Sequence, residues 1–400
     1  MTVALVPGVF ADVIGQDEAV TVLARAAAAA GRIVAGEPVQ PGEMTHAWLF
    51  TGPPGSGRSV AARAFAAALQ CPRGGCGECN ECHTTLAGTH ADVRIVAPEG
   101  VWISVNEMRS LVLRAASSPS GGRWQIVLIE DADRLHERAS NALLKAIEEP
   151  TDRTVFLLCA PSAHPDDVSV TIRSRSRVVP LRMPSAEAVA GLLMRRNDVD
   201  ETTARWAASV AQGHVGRALR LARDPDAQAR RRAVLAIPRS LTGIAACYNA
   251  AAALIAASNE EAAAATETQN ADEKAALERA LGAGGTGKGA AAATRGTVGQ
   301  IKDLEKKQKS RTTRVQRDAL DRALVDLAAF YRDVLMVRLG ASVPLVHIDV
   351  EEMVRAAAAR WEPESILRRI EAVLKCRTAL DENVKPLIAI EALMVTLFEG

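Results

Sequence analysis

Phe50 to Val60 reads FTGPPGSGRSV. Gly52, Gly57 and Ser59 meet the phosphate-loop spacing G-x-x-x-x-G-K-[ST], with Pro53, Pro54, Gly55 and Ser56 between the glycines and Arg58 in the lysine position. In such a loop the backbone N–H groups and the N-terminus of the next helix face the phosphates. Lysine sets a compact charge on a thin stem between the β- and γ-phosphates. Arginine is planar and wider; it attracts phosphates but is poorly suited to follow the γ-phosphate through transfer. Glu130 and Asp131 close a long apolar run further on. In ATPases of this kind an acid at a neighbouring strand end holds magnesium, and a following glutamate often orients the attacking water. Here the order is Glu-Asp, reversed from the usual Asp-Glu. The pattern predicts a site for ATP or ADP with hydrolysis impaired. The alternative is a loop that only caps a helix.

Cys71, Cys76, Cys79 and Cys82 follow C-x4-C-x2-C-x2-C, with Gly74, Gly75 and Gly77 among them. Four thiolates this close suit a tetrahedral structural Zn2+ with a closed sphere and no catalysis. Reduced free thiols are the alternative, and His83 is a possible substitute ligand. Cys159, Cys247 and Cys376 stand alone in apolar surroundings and read as core. The basic run TIRSRSR carries Arg173, Arg175 and Arg177. By composition it reads as a solvated turn.

These residues need elements to position them. HAWLFTG (His46–Gly52) reads as a strand and Ser59–Gln70 as a helix, the context a phosphate loop requires. Trp124–Asp133 and Thr154–Ala160 are continuous apolar runs that read as buried parallel strands, with a helix closed by Pro150 between them. VSVTIRSRSRVVPL reads as a loop, a turn and a last short strand. Strands alternating with helices predict an α/β parallel sheet over residues 1–182, with the zinc module at about 71–90. Residues 183–225 read as a small helical lid and 226–400 as a helical bundle. A low-complexity insert spans about 258–300; its first part could be helical, and Gly282–Gly296 reads as a flexible linker. Within it, GAGGTGKG (Gly282–Gly289) imitates a phosphate loop, but no buried strand precedes it and Gly289 stands where Ser or Thr should hold magnesium.

The composition narrows the function further. Charged residues make up 24% and hydrophobic ones 48%, which fits a soluble globular protein. The net charge of +1 gives no global field for nucleic acid, so any DNA contact needs a local patch. Aromatics at 3% argue against base stacking. No apolar run approaches a membrane span, and the N-terminus lacks the pattern of a signal peptide; a cytoplasmic location is expected.

VIGQDEAV, HAWLFTGPPGSGRS, the four cysteines, VLIEDADRLHERASNALLKAIEEP and TIRSRSR occur in this order. Together they resemble the bacterial DNA polymerase III clamp loader, within the AAA+ group, and NALLKAIEEP is especially specific. The resemblance covers about residues 8–225 by motif and rests on helical character and domain order beyond. It implies an AAA+ core, a helical lid and a C-terminal collar for oligomerisation. The family has a hydrolysing motor branch (gamma/tau) and a largely non-hydrolysing stator branch (delta prime). Four departures favour the stator: Arg58, the Glu130-Asp131 order, CAPS at Cys159–Ser162 without the motor's sensor threonines, and Gly216 at the second sensor with Arg217 one step late. The family's serine-arginine-cysteine motif, which pushes an arginine into a neighbour's ATP site, reads Ser174-Arg175-Ser176 here. The resemblance therefore makes Arg175 a finger acting in trans, with Arg173 and Arg177 as alternatives if the backbone is extended. The implied partners are the gamma/tau motor and delta subunits, with the sliding clamp and primer-template DNA reached through the complex and no membrane. Polymerase activity is not implied. The alternatives are a motor subunit of the same loader or a regulatory AAA+ protein outside replication. The first spacer of the cysteine motif is shorter than is usual in the family, which bears on the loop path more than on the metal.

Overall fold

The computed structural model describes residues 8–98, 103, 105–115, 118–121, 123–135, 137–280 and 290–400. The chain forms two compact units, Met1–Arg223 and Asp224–Gly400. The first is built on five parallel strands: β1 (Ala47–Thr51), β2 (Val93–Val96), β3 (Gln125–Ile129), β4 (Thr154–Ala160) and β5 (Arg177–Pro180). Their order across the sheet is β2-β3-β4-β1-β5. Every residue of β1, β3 and β4 is buried, as strands covered on both faces must be.

Alternate residues feed two cores. Trp48, Phe50, Ile126, Leu128 and Leu157 pack with α1 (Asp17–Ala35) and α2 (Arg58–Gln70). Leu49, Val127, Ile129, Phe156 and Leu158 face the other way, toward α4 (Val105–Ala115) and α5 (Glu137–Glu148). Helix α3 (Asn80–Leu86) follows the cysteine loop, and α6 (Val170–Arg175) precedes β5. Because β4 lies between β1 and β3, the carboxyl ends of all three open on one edge of the sheet. That edge of an α/β sheet is where ligands bind. Three more helices complete the unit: α7 (Ala186–Asn197), α8 (Glu201–Val210) and α9 (Val215–Arg223). Ser185 and Asp200 cap α7 and α8 by accepting the N–H groups of Ala188 and Thr203.

The second unit is helical among its described residues: α10 (Pro225–Ser240), α11 (Ile244–Ala280), α12 (Ala290–Arg338), α13 (Glu351–Arg360), α14 (Pro363–Asp381) and α15 (Pro386–Glu399). Helices α11 and α12 pair lengthwise. Their seam begins with Cys247, Ala251 and Leu254 and continues through the small residues Ser258, Ala262 and Thr266. It then turns polar: Thr266 meets Thr312 at 3.1 Å, and Arg311 pairs with Glu273 at 2.8 Å. Where a flexible linker was expected over Gly282–Gly296, the chain is helical from Ala290. Ala290–Ala293 are the strongest helix formers, and they outweigh Gly296, which weakens a helix interior by about 1 kcal/mol. The phosphate-loop imitation at Gly282–Gly289 lies outside the described residues.

A buried polar cluster ties α10 to the segment before α13. The Arg231 guanidinium donates to Asp349 at 2.9 Å and to Nδ1 of His347 at 2.8 Å. An arginine can only donate, so Nδ1 is unprotonated and Nε2–H donates to the Asp326 carbonyl at 3.1 Å. Asp333 accepts the N–H groups of Val346 and His347, each at 2.8 Å. Burial, then the Arg231 charge, hold the imidazole below its ordinary range. Below about pH 6.5 the unfolded chain therefore binds a proton that the folded chain resists. This contribution to stability is complete above that pH and is lost as pH falls through the folded value. The unfolding transition of Asp224–Gly400 should drop between pH 7 and 5. His347→Gln should flatten that drop while lowering stability at pH 7 by about 1–3 kcal/mol through the partners it leaves unsatisfied. Circular dichroism melts across this range test it; an unchanged slope in the variant would assign the titration to another group.

Candidate functional site

The phosphate loop leaves β1 at Gly52 and enters α2 at Arg58. Gly55 and Gly57 have φ of 91° and 88°, the left-handed region that favours glycine, and Gly57 caps α2. A Cβ on Gly55 would sit 2.7 Å from the ring of His214, so glycine is also required by a close neighbour. Pro53 accepts the Ser56 N–H at 3.0 Å, which closes the turn. Pro53 and Pro54 face solvent, and Ser59 and Arg58 are half-buried.

A cavity of about 460 Å³ opens over this loop. That is within the roughly 300–1,000 Å³ of ordinary ligand sites. Val13, Ile14 and Leu192 supply apolar wall, Ser56 to Ser59 the phosphate-loop side, and Arg196 of α7, His214 before α9 and Gly216 of α9 the rim. Ser56 Oγ and Arg58 Nη1 in the loop are buried donors with no hydrogen-bond partner among the described residues. Unpaired donors at a helix N-terminus, beside an apolar wall, are groups that could hold a phosphate-bearing ligand.

The acids are arranged differently from the sequence expectation. Strand β3 ends at Ile129 rather than reaching Asp133. Asp131 takes φ of 54°, a conformation Asp tolerates, and a short 3-10 turn follows. Glu130 is held by Arg63 from α2, with Nε at 3.0 Å and Nη2 at 2.9 Å from the same carboxylate oxygen. That ion pair offsets the charge magnesium would need from Glu130. Burial, with the Asp131 charge second, raises the Asp133 carboxyl. Cys159, at the end of β4, lies within the fields of Arg58, Glu130, Asp131 and Arg63; burial dominates and pushes its thiol up. Ser162 donates its hydroxyl to Asp167 at 2.5 Å, so its hydroxyl proton is engaged in a local turn.

Gln16, Arg196 and His214 carry no motif spacing, and sequence reasoning missed them as site residues. Gln16 is buried and joins two segments distant in sequence. Its Nε2 donates to the Ser56 carbonyl at 3.3 Å and the Arg182 carbonyl at 2.6 Å, and its Oε1 accepts the Arg182 N–H at 3.1 Å. The phosphate loop is thereby fastened to the connection between β5 and α7. Gln16 stands in VIGQDEAV, where the quoted resemblance was the only available signal.

The four cysteine sulfurs all lie within 4.8 Å of one another. Cys71 is 3.6 Å from Cys76 and 3.7 Å from Cys79. Zinc–sulfur bonds of about 2.3 Å in a tetrahedron require edges of about 3.8 Å. Backbone N–H groups of Arg73 and Cys76 point at Cys71 Sγ, and that of Glu78 points at Cys76 Sγ. The Glu78 N–H leads the effects that lower the Cys76 thiol to about 6. Burial raises Cys82. The donor set, spacing and N–H groups aimed at sulfur fit Zn2+. His83 is exposed and stands outside the cluster, which speaks against its substitution. Cys159, Cys247 and Cys376 are buried and isolated.

Arg175 closes α6, where the sequence predicted a loop and a turn. Ser169 caps this helix by accepting the Ile172 N–H at 3.4 Å. An extended backbone would have set Arg173, Arg175 and Arg177 on one face. Helical spacing turns Arg173 and Arg175 about 200° apart instead. Arg173 donates to the Ala163 carbonyl at 3.4 Å. Arg177 donates to the Gly42 carbonyl at 3.2 Å and lies 5.1 Å over the Trp48 ring. Arg175 is exposed and pairs with Glu148 at 2.9 Å.

Two family models match the chain: DNA polymerase III, delta subunit, over residues 35–185, and its C-terminal counterpart over residues 315–397. DNA polymerase III subunit delta' of Pseudomonas aeruginosa is 38% identical over 159 residues, covering 38% of this chain and 48% of the relative. Subunit gamma/tau of Mycobacterium tuberculosis is 31% identical over 194 residues, covering 47% of this chain and 31% of the relative. The chain thus spans less than half the length of these relatives. A gamma subunit-related protein from Thermotoga maritima superimposes with a TM-score of 0.44 at 14% identity, over 94% of this chain and 99% of that one. The first of the two family models overlies the five-stranded parallel sheet and the loop that follows β1. With one family model on that sheet and another on the C-terminal helices, the chain belongs to the family of DNA polymerase III clamp-loader subunits.

Proposed function

We propose that this chain is a stator subunit of the delta-prime kind: it holds ATP or ADP without turning it over and lends Arg175 to the nucleotide of a neighbouring motor subunit. The observation that carries the first half is the Arg63–Glu130 ion pair beside the Arg58 loop. A motor site needs a compact cation on the γ-phosphate, a free acid for magnesium, and sensors on the transferred group. Here Arg58 replaces the compact cation, Glu130 is paired, Cys159 replaces a polar sensor, and Gly216 lines the cavity at the second one. Phosphate binding survives because the helix N-terminus, Ser56 and Arg58 remain.

The proposed partners are motor (gamma/tau) and delta subunits, acting together on a sliding clamp and primer-template DNA, in the bacterial cytoplasm. No helix of the described residues is long and apolar enough to cross a membrane. The collar would supply the main assembly contact. Leu367, Leu374, Leu387 and Ile388 are exposed apolar residues on α14 and α15. Structural Zn2+ would sit at Cys71, Cys76, Cys79 and Cys82.

Three outcomes are expected. Isolated chain should bind ADP and show no ATP hydrolysis above background. Arg58→Ala should weaken ADP binding by about 10- to 100-fold, the worth of a charged hydrogen bond, and Arg58→Lys should not start hydrolysis. Calorimetry and phosphate release measure these, and robust turnover by the unmodified chain would favour a motor.

Leu374→Asp with Ile388→Asp should leave the fold intact and prevent complex formation with motor subunits in native mass spectra. Normal assembly would move the contact elsewhere.

Arg175→Ala should keep zinc and stoichiometry normal while lowering DNA-stimulated ATPase of the reconstituted complex by roughly 10³- to 10⁵-fold per affected site, the usual worth of such a finger. Unchanged ATPase in a complete complex would rule Arg175 out.

A further inference from the structure

The cysteine loop and the nucleotide cavity meet through a segment that neither motif contains. A short 3-10 turn, Val9–Asp12, leads from Gly8 into Val13 and Ile14, which line the cavity. The rear of this strap rests on the cysteine loop. Val9 donates its N–H to the Gly75 carbonyl at 3.1 Å. A Cβ on Gly8 would lie 2.1 Å from that same carbonyl oxygen, and one on Gly77 would lie 3.0 Å from the Gly8 Cα. One on Gly75 would lie 2.9 Å from Val9 Cγ2. The two backbones touch with no side chain between them.

We infer that the metal-bound cysteine loop, acting through Gly75 and Gly77, sets the position of the Gly8–Ile14 strap. Metal occupancy at the four cysteines and nucleotide affinity are therefore coupled. This second statement rests on the nucleotide reading of the cavity; the first does not.

The physical reason lies in the loop's freedom. Gly74, Gly75 and Gly77 all have positive φ, and glycines lose the most conformational entropy on being fixed. Four bonds to one ion hold the loop; without them the Gly75 carbonyl has no fixed position to offer Val9. The far side of the strap is anchored separately, by Phe10 in the core and by Asp12 paired with Arg196 at 3.0 Å. Loss of the metal should loosen the strap and leave the sheet intact. Coupling between sites is reciprocal, so bound nucleotide should tighten metal binding by the same factor.

The test uses the full chain with zinc bound, with zinc removed by chelator, and two variants. Hydrogen exchange across residues 8–16 should quicken when zinc is removed, while β3 and β4 stay protected. Gly8→Ala keeps all four thiols but drives a methyl group into the Gly75 carbonyl. It should retain one zinc per chain yet lose about tenfold in ADP affinity, a typical size for coupling between sites. Gly74→Ala is the control. Its φ of 71° strains the same loop, but its Cβ would meet nothing within 4 Å. It should keep zinc and ADP affinity. Unchanged exchange at residues 8–16 on zinc removal would overturn the inference. So would equal loss of ADP affinity in both variants, which would make loop strain the cause. Faster strap exchange with no ADP binding in any form would leave the zinc–strap link standing and overturn the nucleotide reading.

Discussion

Parallel pairing of β1 with β4, and of β4 with β3, is the constraint on which the rest of the structure depends. The register sets Thr51 beside Ala160 and Leu158 beside Ile129. Three chain segments separated by dozens of residues thus end on one edge. The phosphate loop, the Glu130-Asp131 pair and Cys159 are neighbours for that reason alone. A parallel sheet also demands crossovers, and the helices that make them bury both faces. The ends of the strands are what remains open, so chemistry has few other places to sit.

Within that opening the balance of charge decides what the site does. Arg58 and Arg63 are five residues apart on the first turns of α2. Arg63 reaches the acid, and Arg58 has a buried nitrogen with no partner among the described residues. A divalent cation brought to this edge would have to compete with Arg63 for Glu130. A phosphate would meet an arginine whose charge is permanent. The arrangement favours an anion without its metal over a metal poised for transfer.

The elements of the sheet were legible because buried parallel strands are continuous apolar runs with glycine, acid or proline at their ends; Thr154–Ala160 and Ala47–Thr51 are examples. The cysteine cluster was legible because its ligands are local. Other features depend on partners that a sequence does not display. Strand β3 stops at Ile129 because Asp131 turns left-handed, a choice its apolar run conceals. The arginine run read as a loop and a turn, but Ser169 caps a short helix there. The stretch from Ala290 looked like linker because its composition lacks large apolar residues, and its helix continues into a seam with α11 made of Ala, Ser and Thr. Gln16, Arg196 and His214 are joined to the site by tertiary contacts alone.

Which parts of the site can change without harm to the fold follows from where they lie. Arg58, Glu130 and Asp131 stand outside both apolar clusters of the first unit. Exchanging such side chains alters the field at the strand ends with little effect on packing. Gly55 has no such freedom, since it is fixed by a positive φ and by the His214 ring. Helix α2 is fixed as well: six of its alanines are buried, which lets it lie close beneath the sheet. At about 1.5 Å per residue, its 13 residues run from the phosphate loop to Cys71. A loader subunit can therefore lose turnover by substitution at a few strand and helix ends while keeping its loop, its cavity and the arginine at the end of α6. The stator reading requires that combination: an intact scaffold that presents Arg175, carrying a nucleotide site stripped of the groups that would drive its own cycle.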